Sequence, residues 1–138
     1  KLRRKFHAYL ESSELDLGHV FAFLAVEAAY SHGTEWLDQC LAYIQGNIDY
    51  VDEFTKQHTP KIKVIRPQAS FLVWLDCREM GLSQDALNDF FVDKAHLALN
   101  NGVAFGEEGE GFMRLNVASP RSVLEKAMKQ LADAYAAL

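Results

Sequence analysis

Several kinds of residue are scarce in this chain of 138 residues, and each scarcity closes a class of function. There are two cysteines, Cys40 and Cys77, far apart and in no CxxC pattern. A disulfide-stapled fold is thereby set aside, and two buried thiols in a reducing compartment are expected. The five histidines, His7, His19, His32, His58 and His96, are scattered. They form no HExxH and no close pair, so no metal site is expected. Positive charge is also short: 14 Lys and Arg stand against 19 Asp and Glu, a net charge of −5. A general nucleic-acid binder needs a basic face to displace counterions, so nucleic acid is not an expected partner.

Long hydrophobic runs are missing too. The longest, VFAFLAVEAAY, is interrupted by Glu27 and is too short to cross a bilayer. The opening KLRRKF is not followed by the apolar stretch of a secretory signal. The expected compartment is the cytoplasm, with no membrane partner. The glycine-rich stretch Gly102–Gly111 lacks the lysine of a P-loop and carries Glu107, Glu108 and Glu110, which repel phosphate. It reads as a surface loop. No nucleophile elbow is present, and no Ser/His/Asp or Cys/His set can be assembled from spacing.

What remains is a globular composition, 49% hydrophobic and 24% charged, long enough for one domain or for two small lobes sharing a long element. The chain opens on a charged helical stretch with no cap, as a segment of a longer protein would. KLRRKFHAYLESSE reads as an amphipathic helix with Leu2, Phe6, Tyr9 and Leu10 on one side. LDLGHVFAFLAVEAAYSHG, residues 15–33, is apolar all round and reads as a largely buried helix, weakened at Gly18. Thr34 then reads as the N-cap of a long helix, with Leu37, Leu41, Ile44, Ile48, Val51 and Phe54 at helical spacing and Pro60 past its end. Such a helix spans about 30 Å or more.

The period then changes. KIKVI alternates as a half-exposed strand, and FLVWLD reads as a central strand covered on both faces. A helix within residues 80–96 is expected, capped by Ser83 and packed through Leu87, Phe90 and Phe91. LALNNG is a short strand and turn, and GFMRLNVA another strand. Ser119 is expected to cap a last helix, with Pro120 at its first position and Leu124, Ala127, Leu131 and Tyr135 on the buried side. The second half is therefore β-β-α-β-β-α behind a helical first half, an α+β or α/β arrangement.

Arg114 stands out. In GFMRLNVA one face carries Phe112, Arg114, Asn116 and Ala118, and the other Met113, Leu115 and Val117. The apolar face must meet the helices. The arginine face can look at solvent, as most arginines do. Alternatively it can hold a planar carboxylate with two parallel hydrogen bonds, since a guanidinium stays charged at every relevant pH. Composition alone leaves both open.

The segment GFMRLNVASPRSVLEKAMKQL resembles the C-terminal end of fold-type I pyridoxal-phosphate enzymes, the class I/II aminotransferase group. Within that group it is similar to the cystathionine β-lyase branch. AAYSHGTEWLDQCLAYIQGN, ASFLVWLDCREMGLS and LALNNGVAFGEEGEGFMRLN resemble the same branch, in the same order. Ser119 stands where that branch often has cysteine.

The resemblance implies that Arg114 binds the α-carboxylate of an amino-acid substrate. It implies pyridoxal 5'-phosphate as cofactor of the full-length parent, held mainly by a large domain outside this chain. The lysine that bonds the cofactor would lie upstream, and Lys1 is not given that role. No catalytic residue, no cofactor-binding residue and no metal ligand is assigned here. Residues 1–33 would complete the large domain, 34–58 would be a connecting helix, and 59–138 a small α+β domain with a small mixed sheet and helices on one face. The implied activity of the parent is a C–S β-lyase acting on sulfur amino acids, in a homodimer. The cofactor would serve as electron sink, a thiol would leave from Cβ, and pyruvate and ammonia would result. Two alternatives stand beside this: the C-terminal domain of a class I/II aminotransferase, and a non-catalytic module that binds a carboxylate or a protein.

Overall fold

A computed structural model describes residues 1–14 and 18–138. The contacts divide the chain into two units, Lys1–Cys40 and Leu41–Leu138. The first contains α1 (Leu2–Ser12), α2 (Val20–His32) and the opening turns of α3 (Thr34–His58). The expected start of the second helix at residues 15–17 lies outside the described residues. Gly18 sits at φ +61°, and His19 caps α2 by accepting a hydrogen bond from the Phe21 N–H at 3.2 Å. That local geometry places the start at Val20.

The expectation that α2 is largely buried is not met. Among the described residues none of its side chains is buried, and Val20, Phe21, Phe23, Leu24, Val26 and Tyr30 are exposed. An apolar circumference favours burial, but it cannot supply the partner that covers it. Thr34 is the first residue of α3, and Gly33 precedes it, its carbonyl accepting from Leu37 N at 2.9 Å.

The second unit holds the rest of α3, then β1 (Lys63–Ile65), β2 (Leu72–Asp76), α4 (Gln84–Asp89), β3 (Asn100–Asn101), β4 (Phe112–Asn116) and α5 (Arg121–Ala136). The strands form one sheet in the order β1-β2-β4-β3. All three pairings are antiparallel, so the expected mixed sheet is corrected to an antiparallel one. The joining segments do not carry a strand across the sheet to run alongside its neighbour, which a parallel pair requires.

Among the described residues only one face of this sheet is covered. Val73 and Leu75 of β2, Met113 and Leu115 of β4, and the adjoining Val117 meet Ile48 and Val51 of α3, Leu87 of α4, Phe90 and Phe91 of the turn after it, and Leu124, Met128 and Leu131 of α5. β2 alternates half-buried with buried, so the expectation of cover on both faces fails. Its unbroken apolar run is explained by Leu72 and Trp74, which line the open face. Ser83 caps α4 as expected, its Oγ accepting from Ala86 N at 3.3 Å.

The start of α5 departs from expectation. Pro120 is the cap residue, and Ser119 makes no side-chain cap. The free Arg121 N–H instead donates to the Tyr43 hydroxyl of α3 at 2.7 Å. The buried stripe runs through Leu124, Met128, Leu131 and Ala134, rotated from the expected one. Beside it Asn47 of α3 is fully buried. Its Nδ2 donates to the Val117 and Ser119 carbonyls at 2.8 and 3.0 Å, and its Oδ1 accepts from Arg121 Nε at 2.9 Å. Arg121 also lies over the Tyr50 ring, 4.8 Å from its centre. One amide thus ties α3 to the exit of β4 and the entry of α5.

A buried polar group that loses its partners costs about 1–3 kcal/mol. Asn47→Ala is therefore expected to lower unfolding stability by about 1–3 kcal/mol, seen as a lower denaturation midpoint in urea. A loss below about 0.5 kcal/mol, within the range of ordinary surface changes, contradicts the clamp.

Candidate functional site

The open face of the sheet presents one continuous cross-strand row. Ile65 pairs with Trp74, Trp74 with Arg114, and Arg114 with Asn100. Directly opposed residues on one face have neighbouring side chains, so the row brings an aliphatic, an indole, a guanidinium and an amide together. Arg114 Nη2 donates to Asn100 Oδ1 at 2.9 Å. The guanidinium also lies over the Phe105 ring, 4.2 Å from its centre. Phe105 meets Trp74 edge-on, with centroids 5.5 Å apart.

The donors of Arg114 are left underused. Its Nε is the one buried side-chain polar atom without a hydrogen-bond partner among the described residues. No carboxylate pairs with it among those residues, whereas Arg66 is paired with Asp49 and Asp52, and Arg78 with Asp76. Buried donors are nearly always satisfied, so an orphan of this kind calls for an explanation. A half-buried cation with unused donors, fixed by an amide and an aromatic ring, can accept a planar anion.

The loop that carries Phe105 is held from two sides. Gly102 and Gly109 pack backbone against backbone, and a Cβ on either would collide with the other's carbonyl. That close approach explains the glycines, which sequence reading took only as a sign of a surface loop. Gln84, the first residue of α4, closes the other side. Its Oε1 accepts from the Gly111 N–H at 2.7 Å, and its Nε2 donates to Asn101 Oδ1 at 2.6 Å. Sequence reading missed Gln84, Asn100 and Phe105. Their roles depend on pairings across sequence gaps, and no local spacing shows them.

Beside the row lies an apolar cleft of about 240 Å³, lined by Ile65, Trp74, Phe105, Glu108, Gly109 and Phe112. At its edge Asp76 holds Arg78 in a two-pronged pair, Oδ1 accepting from Nε at 2.9 Å and Oδ2 from Nη2 at 2.7 Å. Those hydrogen bonds keep the Asp76 carboxyl below its ordinary value against the upward push of burial. Nearby Cys77 is buried, and that burial, with the Asp76 charge, raises its thiol to about 12. It is no nucleophile. Cys40 is half-buried rather than buried, and both cysteines are free thiols.

No family model matches the chain. It is 38% identical over 129 residues to cystathionine beta-lyase PatB of Bacillus subtilis, covering 94% of this chain and 33% of that protein. It is 36% identical over 119 residues to protein MalY of Escherichia coli, covering 86% of this chain and 30% of that one. The chain belongs to the class I/II superfamily of pyridoxal-phosphate-dependent enzymes. Cystalysin from Treponema denticola, solved with a pyridoxal 5'-phosphate cofactor, superposes with a TM-score of 0.83 at 29% identity, over 91% of this chain and 33% of that one. The chain spans about a third of the length of these relatives.

The superfamily's cofactor needs a lysine and a phosphate cradle, and this face does not offer them. Lys63, on the same side of β1 as Ile65, is ion-paired with Glu79. The adjoining loop carries Glu107 and Glu108. The residues present fit a carboxylate at Arg114, not the cofactor itself. Among the described residues there is no group of three metal-ligating side chains, and no helix is long and apolar enough to cross a membrane.

The Arg78–Asp76 pair gives a pH test. A carboxyl lowered in the fold contributes stability above its unfolded value, about 3.9, and that contribution is lost as pH falls through the lowered value. Arg78→Leu is expected to destabilise the protein at about pH 6, with the gap to wild type narrowing by about pH 2.5. Denaturant unfolding at the two pH values checks this, and an unchanged gap contradicts it.

Proposed function

We propose that this chain is the C-terminal part of a pyridoxal-phosphate-dependent C–S β-lyase acting on sulfur amino acids, and that Arg114 holds the α-carboxylate of its substrate. The observation that carries the proposal is the unpartnered, buried Nε of a guanidinium that has no acid beside it. The names of the PatB relative and its homologues support the choice of a lyase. On this reading residues 1–33 complete a large domain, 34–58 connect, and 59–138 form the small domain. The full-length protein is a cytoplasmic homodimer.

In the full-length protein the cofactor would supply the electron sink for loss of a proton from Cα and of a thiol from Cβ. This chain's residues act on the substrate. Arg114 takes the carboxylate as a two-pronged acceptor and so fixes the direction of the remaining bonds at Cα. Asn100 holds one end of the guanidinium, leaving its other donors for the ligand. Phe105 covers one flat side of the guanidinium.

In the full-length protein Arg114→Lys keeps the charge but loses the planar fork. Its kcat/KM for cystathionine is expected to fall about tenfold to a thousandfold, with Arg114→Ala falling further. An amine lacking the carboxylate should react equally poorly with wild type and variant. Near wild-type kinetics for Arg114→Ala would make Arg114 a solvated strand residue. The 138-residue chain alone is expected to be inactive toward cystathionine, and the full-length protein to sediment as a dimer. Turnover by the chain alone, or a full-length monomer at micromolar concentration, counts against that part of the proposal.

A further inference from the structure

We infer that Gln84, on the helix side of the sheet, is a positioning residue for Arg114 on the open side, and that it tunes affinity for a carboxylate it does not itself contact. This rests on the reading of Arg114 as a carboxylate site. The relay is short. Asn100 and Asn101 are the two residues of β3, and successive side chains of a strand point to opposite faces. Asn100 pairs with Arg114 and accepts from its Nη2 at 2.9 Å on the open face. Asn101 pairs with Met113, which is buried against the helices, and its Oδ1 accepts from Gln84 Nε2 at 2.6 Å. The tie behind the sheet and the tie in front of it are adjacent links of one backbone. Among the described residues the hydrogen bonds of the Gln84 amide go to Asn101, Gly111, Phe112 and Met113, and none goes to Arg114.

β3 depends on such ties. Strands usually have about 3–10 residues, whereas β3 has two and lies at the edge of the sheet, so its few ladder bonds hold it weakly. The segment that follows, residues 102–110, leaves from Asn101 and returns at Gly111. The Gln84 amide grips both ends, its Oε1 accepting from the Gly111 N–H at 2.7 Å. Asn101 Oδ1 also accepts from Val103 N at 3.2 Å, which starts the turn that carries Phe105. Both groups that restrain the guanidinium, Asn100 from the edge and Phe105 from the flat side, are therefore fixed through Asn101. Without the Gln84 amide the cation stays, but its fork has more orientations to lose when a carboxylate binds, and that ordering costs affinity. The loss is smaller than that from removing the guanidinium.

The test is glycine binding to the full-length protein with its cofactor, followed through the cofactor absorbance, with methylamine as the matching amine without a carboxylate. Gln84→Met removes both arms of the amide at similar size. Gln84→Glu keeps the acceptor for Gly111 and loses the donor for Asn101. Each variant is expected to raise the glycine Kd about threefold to tenfold and to leave the methylamine Kd unchanged. Added to Asn100→Ala, Gln84→Met should cost less than it does alone, since the relay is already cut. A wild-type glycine Kd in both variants overturns the inference. So does an equal rise for methylamine, or a failure of both variants to fold, since either makes Gln84 a residue of the fold alone; the Arg114 reading then still stands or falls on Arg114→Ala. Arg114→Ala with wild-type glycine affinity overturns the Arg114 reading and this inference with it.

Discussion

A slip of one residue in the pairing of β4 would turn Arg114 into the core and Leu115 out of it. The alternation along a strand has a period of two, so the position of the arginine is decided by register and nothing else. Several contacts fix that register. At one end of β4 Asn47 grips the Val117 and Ser119 carbonyls. At the other Gln84 holds Gly111 and reaches Asn101, which pairs with Met113. Between them Met113 and Leu115 are buried against the helices, and their burial opposes any shift.

With register fixed, Arg114 stands apart from the other arginines near the sheet. Arg66 and Arg78 have acids, and their pairing lowers the carboxyls of Asp49 and Asp76. Arg114 has an amide and an aromatic ring instead. Neither neutralises its charge, and both restrict its motion. A cation held rigidly without a counter-charge gains more from a passing carboxylate than one already paired, because the ordering entropy has been met in the fold. On the proposed reading, folding gains little from Arg114 and binding gains much.

The sequence made the arginine's face readable because β4 alternates cleanly and Pro120 marks its end. It made α4 readable through Ser83 and the pair Phe90 and Phe91. The open side of β2 was not readable: Leu72 and Trp74 are apolar, and an apolar residue over an exposed cleft has the same signature as one in a core. The burial of α2 was misread for a related reason, since hydrophobicity reports a preference for cover and not the cover itself. The mixed sheet failed because strand direction depends on how the connections fold back. Asn47, Gln84 and Phe105 were invisible, because each acts on a residue far along the chain, and a lone amide or phenylalanine carries no periodic signal. The resemblance to pyridoxal-phosphate enzymes adds what spacing could not, a candidate ligand for the arginine.

The proposed function rests on what Arg114 faces when an amino acid is bound. A crystal structure of the full-length protein with a non-reactive amino-acid analogue would show it directly. If Arg114 is the carboxylate site, carboxylate oxygens lie about 2.7–2.9 Å from two nitrogens of its guanidinium, with Asn100 still on Nη2. A carboxylate held by another cation, with Arg114 turned to solvent, would contradict it.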